Sequence, residues 1–425
     1  MEMPDRRAAL LRLSAALALP LLPPRAFSAQ SQPQSQSPRL VVDFMISSGA
    51  LRSAWVKLVQ AFQAQNPGLQ IIANEFSQEE YKHNFTTRLQ QERVDLAFWF
   101  AGARLKEAAR QGLLRPIDEA DLLQRMGMRF TSATLDALED KGRLYGAPIS
   151  YYQWGFFYSR SLFAQLGIAA PKDWDAFEQA CARLRGAGVT PTAVGAQNGW
   201  PAAAWFDYFN LRCNGRAIHQ RLLAGELSFQ DPRIRAALQP WRDMLARGDF
   251  LAETMTEDWD AVLPYLYRKS VGMVLMGAFA ASKFPPQIAP DIGFFPFPQI
   301  KPQVARAEEA PLDVVVLPAK GENPAAASRF LRFLAEHPAL NTFNQEVSLL
   351  SPRVDAPPET DALRRAGRTL LGQASGLTFF FDRDARGDLV APAFAAISAF
   401  LRPPHDLDRM LAAMETARNV TPAGA

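Results

Sequence analysis

Cysteine and histidine are scarce: two cysteines and four histidines in 425 residues. His83, His219, His337 and His405 are scattered singly, with no His-Glu-x-x-His and no paired spacing. A metal site would need ligands converging from unrelated places, so no metal is expected. There is no glycine-rich loop ending in Gly-Lys-Ser/Thr, no Gly-x-Gly-x-x-Gly after a strand and no Gly-x-Ser-x-Gly elbow. Their absence removes the usual signs of nucleotide cofactors and of serine hydrolases, and no cofactor is expected. A carboxylate pair for glycoside hydrolysis leaves no spacing signature, because its members meet only in the fold. Nothing in the sequence selects such a pair. Neither charge sign dominates: the formal net charge is +3. That balance gives no argument for nucleic acid or an anionic membrane as a partner. Internal repeats and long charged runs are absent too.

The N-terminal segment reads as an address. Arg6-Arg7 supply a positive start, the stretch from Leu10 to Leu22 is apolar but short for a bilayer, and Ala26-Phe27-Ser28-Ala29 offers small residues for cleavage. Residues 1–29 are therefore expected to be a signal peptide, by the twin-arginine or the general secretory route. The Ser/Gln/Pro run 30–38 is expected to be a disordered linker. With no cysteine near the cut, no lipid anchor is expected. No later stretch holds 18 consecutive apolar residues. A protein exported to the periplasm would meet an oxidising compartment, which permits a bridge between Cys181 and Cys213. Two separate buried thiols are the favoured reading, Cys181 being on a helix stripe.

Strands and helices alternate from residue 39 onward. Leu40 to Ile46, Leu69 to Phe76 and Val94 to Phe100 read as strands. Between them Leu51, Trp55, Leu58, Val59 and Phe62 form one helical face, and Tyr81, Phe85 and Leu89 another. Ser77 and Glu80 have the spacing of a capping box. Asp173, Asp231-Pro232 and Asn323-Pro324 mark further helix starts. Val271 to Met276, Ile292 to Phe297 and Asp313 to Leu317 read as strands. The order is βαβα, then mostly α, then β, then α, which is an α/β fold with parallel-rich sheets and a helical C-terminal part.

Aromatic residues are dense where helical periodicity is absent. The run Tyr151-Tyr152-Gln153-Trp154-Gly155-Phe156-Phe157-Tyr158 is the clearest. On one strand, alternation would put Tyr152, Trp154, Phe156 and Tyr158 on a single face, part of which should meet a cleft. Trp99 and Phe100 end a strand, where ligands sit in open α/β sheets. Trp200 and Trp205 lie at a loop-to-helix start. Trp55, Trp174 and Trp241 fall on helix stripes and are expected in the core, whereas Trp259 fits no stripe. A sugar ring has apolar C–H faces and polar edges. Aromatic rings cover the faces at about 1 kcal/mol per stack. Carboxylates, amides and arginine take the hydroxyls. Asp382, Arg383 and Asp313 are the polar candidates.

Gly112-Leu113-Leu114-Arg115-Pro116-Ile117-Asp118, Lys141 to Pro148, and Trp154 to Pro191 follow one another in an order and spacing that resemble a known family. It is the extracellular solute-binding proteins of ABC sugar importers, the group that includes maltose-binding protein. Tyr151 to Gly155 and Phe380 to Asp384 resemble a narrower set of sugar-binding members. The resemblance implies a two-lobed, type II-like periplasmic-binding-protein fold with hinge crossings near 147–152, 290–295 and 317–323. The implied N-terminal lobe is 39–148 plus 293–320, and the C-terminal lobe 149–292 plus 321–425. It further implies a monomeric, non-catalytic periplasmic receptor that hands a carbohydrate to the ABC permease subunits. A secreted carbohydrate-active enzyme is the alternative, and a receptor feeding a sensor a weaker one. The common threonine before Trp-Asp is Asp173 here, and the early Gly-Gly-Asp motif is missing, so the sugar is left open.

Overall fold

A computed structural model describes residues 38–420. The expected signal segment, all but the last residue of the expected linker, and the five C-terminal residues lie outside the described part.

The first sheet has five strands in the order Gln70–Ser77, Arg39–Ile46, Leu96–Phe100, Leu312–Val316, Ala147–Tyr151. The first three run parallel. The apolar character of the inner strands Arg39–Ile46 and Leu96–Phe100 follows from helices covering both faces, whereas the edge strand Gln70–Ser77 alternates with polar residues. On one face Trp55 of the helix Gly49–Ala64 stacks on Phe44 with centroids 4.1 Å apart. Leu312–Val316 is antiparallel to both neighbours, because the chain re-enters the sheet there from the other half of the molecule. The second sheet has four strands in the order Ile292–Phe295, Trp154–Ser159, Val271–Gly277, Thr190–Ala193. Only its last pairing is parallel. The sheets are thus mixed rather than parallel-rich, and the architecture is the expected two-lobed α/β fold.

The aromatic run is two strands, not one. Tyr151 closes a strand of the first sheet, Trp154 opens a strand of the second, and Tyr152-Gln153 carries the chain across. The other two crossings fall later than the resemblance implies. Ile292–Phe295 pairs with Trp154–Ser159, so the return lies between Phe295 and Leu312. Residues 317–323 do not cross at all. Pro318 bridges Leu114, and the Asn323 amide donates to Asp95 at 2.7 Å. The helices Pro324–Glu336 and Ala339–Glu346 then cover the first sheet, with Phe330 against Phe62 and Phe343 against Trp55. The chain leaves only after Arg353, which still bridges Phe130. The first lobe therefore gains the two helices expected in the second and gives up the strand Ile292–Phe295. Paired-strand register and helix burial decided this, and neither is visible in a motif.

Helix caps follow the sequence in most places. Asp173, Asp231 and Asn323 each accept a backbone N–H of their first turn. Ser77 does precede a helix, Gln78–Gln91, but its hydroxyl caps no N–H and lies 3.4 Å from the Glu80 carboxylate instead. The C-terminal helices Gly387–Phe400 and Leu407–Arg418 complete the second lobe, Phe400 meeting Trp241 edge-on at 5.0 Å. Among the described residues no helix is long and apolar enough to cross a membrane.

Cys181 and Cys213 are both buried and unbridged. Burial pushes both thiols above their ordinary range, which keeps them as unreactive thiols. A thiol reagent should label neither cysteine in the native protein and both in urea, and reductant should leave the melting temperature unchanged. Trp241, fully buried between helices, should cost about 3–5 kcal/mol in urea denaturation when changed to Ala.

Candidate functional site

The strands of both sheets point their ends at a cavity between the lobes. Its walls come from the strand Leu96–Phe100 (Phe98, Phe100), the crossing (Tyr152, Trp154) and the start of the helix Trp200–Leu223 (Trp200). Phe279 and the segment Phe380–Arg383 complete it. The cavity volume is ≈ 70 Å³.

The aromatic side is a cluster of edges and faces. Trp154 meets Trp200 edge-on at 6.0 Å and Phe279 edge-on at 5.9 Å, and Phe380 lies tilted against it at 4.1 Å. Tyr152 meets Phe279 edge-on at 5.4 Å. Alternation along the backbone sends Tyr151 the other way, toward a larger open depression of ≈ 1040 Å³, where Arg368 donates to its hydroxyl at 3.0 Å. That depression is more open and lies on the opposite face of Tyr151 from the aromatic cluster.

The polar side is a lattice of buried charges. Arg383 donates to Asp313 at 3.1 Å and to the Tyr152 hydroxyl at 2.9 Å, and its guanidinium sits 4.2 Å from the Phe100 ring centre. Ser150 donates to the other oxygen of Asp313 at 3.1 Å. Asp382 faces two cations of the first lobe, Arg104 at 3.2 Å and Lys82 at 3.6 Å. Lys82 also lies 3.7 Å from Glu79 and 5.3 Å from the Trp200 ring centre, and the Trp200 indole N–H donates to Glu79 at 3.3 Å. Burial raises the Asp313 carboxyl, opposed by Arg383 and Ser150. Burial works in the same direction on Asp382, but Lys82, Arg104 and Arg383 outweigh it and hold that carboxyl below its usual range. Burial lowers the Lys82 ammonium, with Asp382 and Glu79 opposing.

Of the residues singled out in the sequence, Phe100, Tyr152, Trp154, Trp200, Asp313, Asp382 and Arg383 meet at this cavity. Trp99 and Trp205 do not. Trp99 alternates with Phe98 and Phe100, so it faces the helix Gln78–Gln91 and stacks on Phe85 at 3.4 Å. Trp205 lies a helical turn and more beyond Trp200 and packs into the core against Phe156, Phe250 and Phe297. Sequence reasoning missed Lys82, Gln78 and Phe279, which also line the cavity. Gln78 and Lys82 had a legible signal. They lie four apart at the start of a helix that follows a strand's carboxyl end, the place where open α/β sheets hold ligands. Phe279 had none, because the short 3₁₀ turn Ala278–Lys283 leaves no periodicity.

Residues 47–340 match the model of the bacterial extracellular solute-binding protein family. The chain belongs to this family. An uncharacterised ABC transporter extracellular-binding protein of Pyrococcus horikoshii is 27% identical over 334 residues, 76% of this chain and 70% of its own length. An osmoprotective compounds-binding protein of Synechocystis is 25% identical over 229 residues, 49% of this chain and 52% of that one. Among solved structures, the bacterial solute receptor AcbH, described as exclusive for β-D-galactopyranose, superposes with TM-score 0.85 at 27% identity. That match covers 90% of this chain and 98% of AcbH. A chitin oligosaccharide binding protein, at 18% identity and TM-score 0.79 over 90% of this chain and 99% of its own, shares the fold. As a family member the chain is a solute-binding protein, and its fold places an aromatic-walled cavity between two lobes.

The lattice makes Asp382 the residue whose loss strands most charge. Asp382→Asn should lower apo stability by about 3 kcal/mol at pH 7 in urea denaturation, because Lys82 and Arg104 lose their shared carboxylate. Its folded-state carboxyl is depressed, so its contribution is full above the unfolded value near 3.9 and fades as pH falls through the lower folded value. The gap between wild type and variant should therefore stay constant from pH 7 to about 5 and narrow below about 4.

Proposed function

We propose that this cavity captures one neutral monosaccharide, which the protein delivers to an ABC importer without changing it. The observation that carries this reading is the cavity's composition: aromatic rings on one side and charge-paired hydrogen-bonding groups on the other. Trp154 and Trp200 offer apolar surface to sugar C–H groups. Asp313, Asp382, Arg383 and Lys82 offer acceptors and donors at fixed positions to hydroxyls. Each charged group already has a counter-charge, so a charged solute would bring an uncompensated one into a buried space. The size fits as well. The cavity is small, ≈ 70 Å³, which favours a single ring over a chain. AcbH, similar over most of this chain, is described as a receptor for β-D-galactopyranose, which is a solute of this size.

The handover reading rests on family membership and on the ABC-transporter relative. Contacts that close over the cavity join the lobes: Trp200 to Glu79, Lys82 and Arg104 to Asp382, and Ser282 to Ser48 at 3.3 Å. A ligand touching both lobes favours the arrangement in which these contacts form, so binding shifts the population toward a shape a permease can select. Export to the periplasm without a lipid anchor, and action as a monomer, complete the proposal.

The rival reading is a secreted enzyme on carbohydrate. Against it, both Asp313 oxygens are occupied, by Arg383 and Ser150, and Asp382 is held ionised between Lys82 and Arg104. A retaining or inverting pair needs one protonated carboxyl free to donate.

The deciding experiment titrates the protein with neutral hexoses, pentoses, uronic acids and oligosaccharides by calorimetry and tryptophan fluorescence. One neutral monosaccharide should bind with Kd near or below about 1 μM and be recovered intact. Trp154→Ala should weaken it at least about tenfold. Cleavage of the sugar, or preference for a uronic acid or an oligosaccharide, would sink the proposal.

A further inference from the structure

Behind the cavity, three residues that the solute site does not use converge in the second lobe. Asp207 lies on the helix that begins at Trp200, His219 lies beyond its kink, and Glu309 ends the strand Ala307–Glu309. All three are fully buried. Asp207 and His219 are twelve positions apart, which along a straight helix would separate them by about 18 Å. Gly215 breaks that helix with φ 77° and ψ 171°, in the positive-φ region that glycine enters readily, and the chain folds back. His219 Nε2 then lies 3.8 Å from Asp207 Oδ1 and 4.0 Å from Glu309 Oε1, and one ligand atom from each residue falls within 4.8 Å of the others.

Each residue has one atom anchored and one free. Asp207 Oδ2 accepts the Phe381 amide at 2.8 Å, while Oδ1 finds no partner among the described residues. Glu309 Oε1 accepts the Thr378 hydroxyl at 3.0 Å, while Oε2 finds none. His219 Nδ1 meets the Asn210 amide at 3.1 Å, while Nε2 finds none. Asp207 Oδ1 and His219 Nε2, fully buried, unpartnered and 3.8 Å apart, carry a large desolvation cost, and Glu309 approaches them through Oε1, the oxygen that also accepts from Thr378. No arginine or lysine among the described residues forms an ion pair with either carboxylate. The nearby guanidinium of Arg212 is committed to Glu308 at 2.7 Å.

We propose that Asp207, His219 and Glu309 bind a divalent transition-metal ion of the zinc type. One imidazole and two carboxylates suit zinc, which takes nitrogen and oxygen at about 2.0–2.2 Å. Calcium takes six to eight oxygens and magnesium a near-ideal octahedron, which this set does not supply. Ligands of a tetrahedral zinc stand about 3.4 Å apart, so the two separations from His219 Nε2 need to contract by about half an ångström and the one between Asp207 and Glu309, which lies within 4.8 Å, by at most about 1.4 Å. The hydrogen bonds from Phe381, Thr378 and Asn210 play the part that outer hydrogen bonds play at metal sites, fixing each residue's orientation. Ligation through Nε2 puts the histidine proton on Nδ1. The Asn210 amide must then turn its oxygen toward the ring. Asn214 Nδ2, which donates to that oxygen at 2.8 Å, keeps the Arg233 carbonyl at 3.1 Å as its acceptor.

The test uses the full exported chain without a histidine tag, stripped with EDTA and then loaded with ZnCl2 and desalted. About one zinc per chain should be retained, with a melting temperature raised by several degrees over the stripped protein. CaCl2 and MgCl2 should give no rise. Asp207→Asn and Glu309→Gln, which keep volume and shape, should each cut retained zinc at least about tenfold, and His219→Gln should do the same. Cobalt(II) in the wild-type protein should show the intense visible bands of a four-coordinate site, a measurement that needs no variant. No retained zinc, equal retention by the folded variants, a calcium or magnesium effect matching zinc's, or a cobalt spectrum unchanged from buffer would each overturn the proposal.

Discussion

Asp382 is a buried carboxylate with its counter-charges on other elements, and much of the molecule is arranged to keep it ionised. Its partners Lys82 and Arg104 come from the first lobe, on the helices Gln78–Gln91 and Ala103–Arg110. Its sequence neighbour Arg383 reaches the opposite way to Asp313 and Tyr152. A charge this deep is tolerable only when paired and hydrogen-bonded. The segment Phe381–Asp384 can therefore sit in one place only, against Gly102. A Cβ there would come within 2.9 Å of the Arg383 carbonyl, and its φ of 89° suits glycine. Loss of that fit would disperse both the ion lattice and the polar wall of the cavity.

The aromatic wall obeys a softer constraint. Rings pack in many orientations, and most of those in this chain serve the core. Phe156, Trp205, Phe209 and Phe297 form one continuous interior cluster in the second lobe. Trp154 differs from them in position rather than chemistry. It opens a strand at the crossing, where the core ends and the cavity begins. An aromatic residue becomes a recognition surface when it stands at an element's end and its neighbours stop short of covering it.

This explains how far the sequence could be read. Element existence was legible because apolar periodicity and caps are local: Asp173, Asp231 and Asn323 cap where expected, and the strand starting at Arg39 is plain. Which sheet an element joins is not local. The strand Ile292–Phe295 and the helix Pro324–Glu336 were assigned to the wrong lobes because only pairing and burial reveal the choice. Trp99 was misplaced by a single step of alternation, since a one-residue slip exchanges the two faces of a strand. Lys82 was overlooked because a lysine on a helix is ordinarily a solvated residue, and only the approach of Asp382 from a sequence distance of 300 residues makes it interior.

The same non-local logic governs the buried cluster behind the cavity. Four scattered histidines carried no metal signature, and none exists in their spacing. Gly215 creates one in space by folding His219 back on Asp207. The anchors of that cluster are not arbitrary. Asp207 holds the Phe381 amide and Glu309 holds the Thr378 hydroxyl, and both anchored residues belong to the segment that carries Phe380, Asp382 and Arg383 to the cavity wall. These two hydrogen bonds hold the backbone of the polar wall from behind, while Lys82, Arg104 and Asp313 hold its side chains from in front. Held from both sides, the wall has little freedom left to lose, and a group already fixed in place costs less to bind than one that must first be ordered.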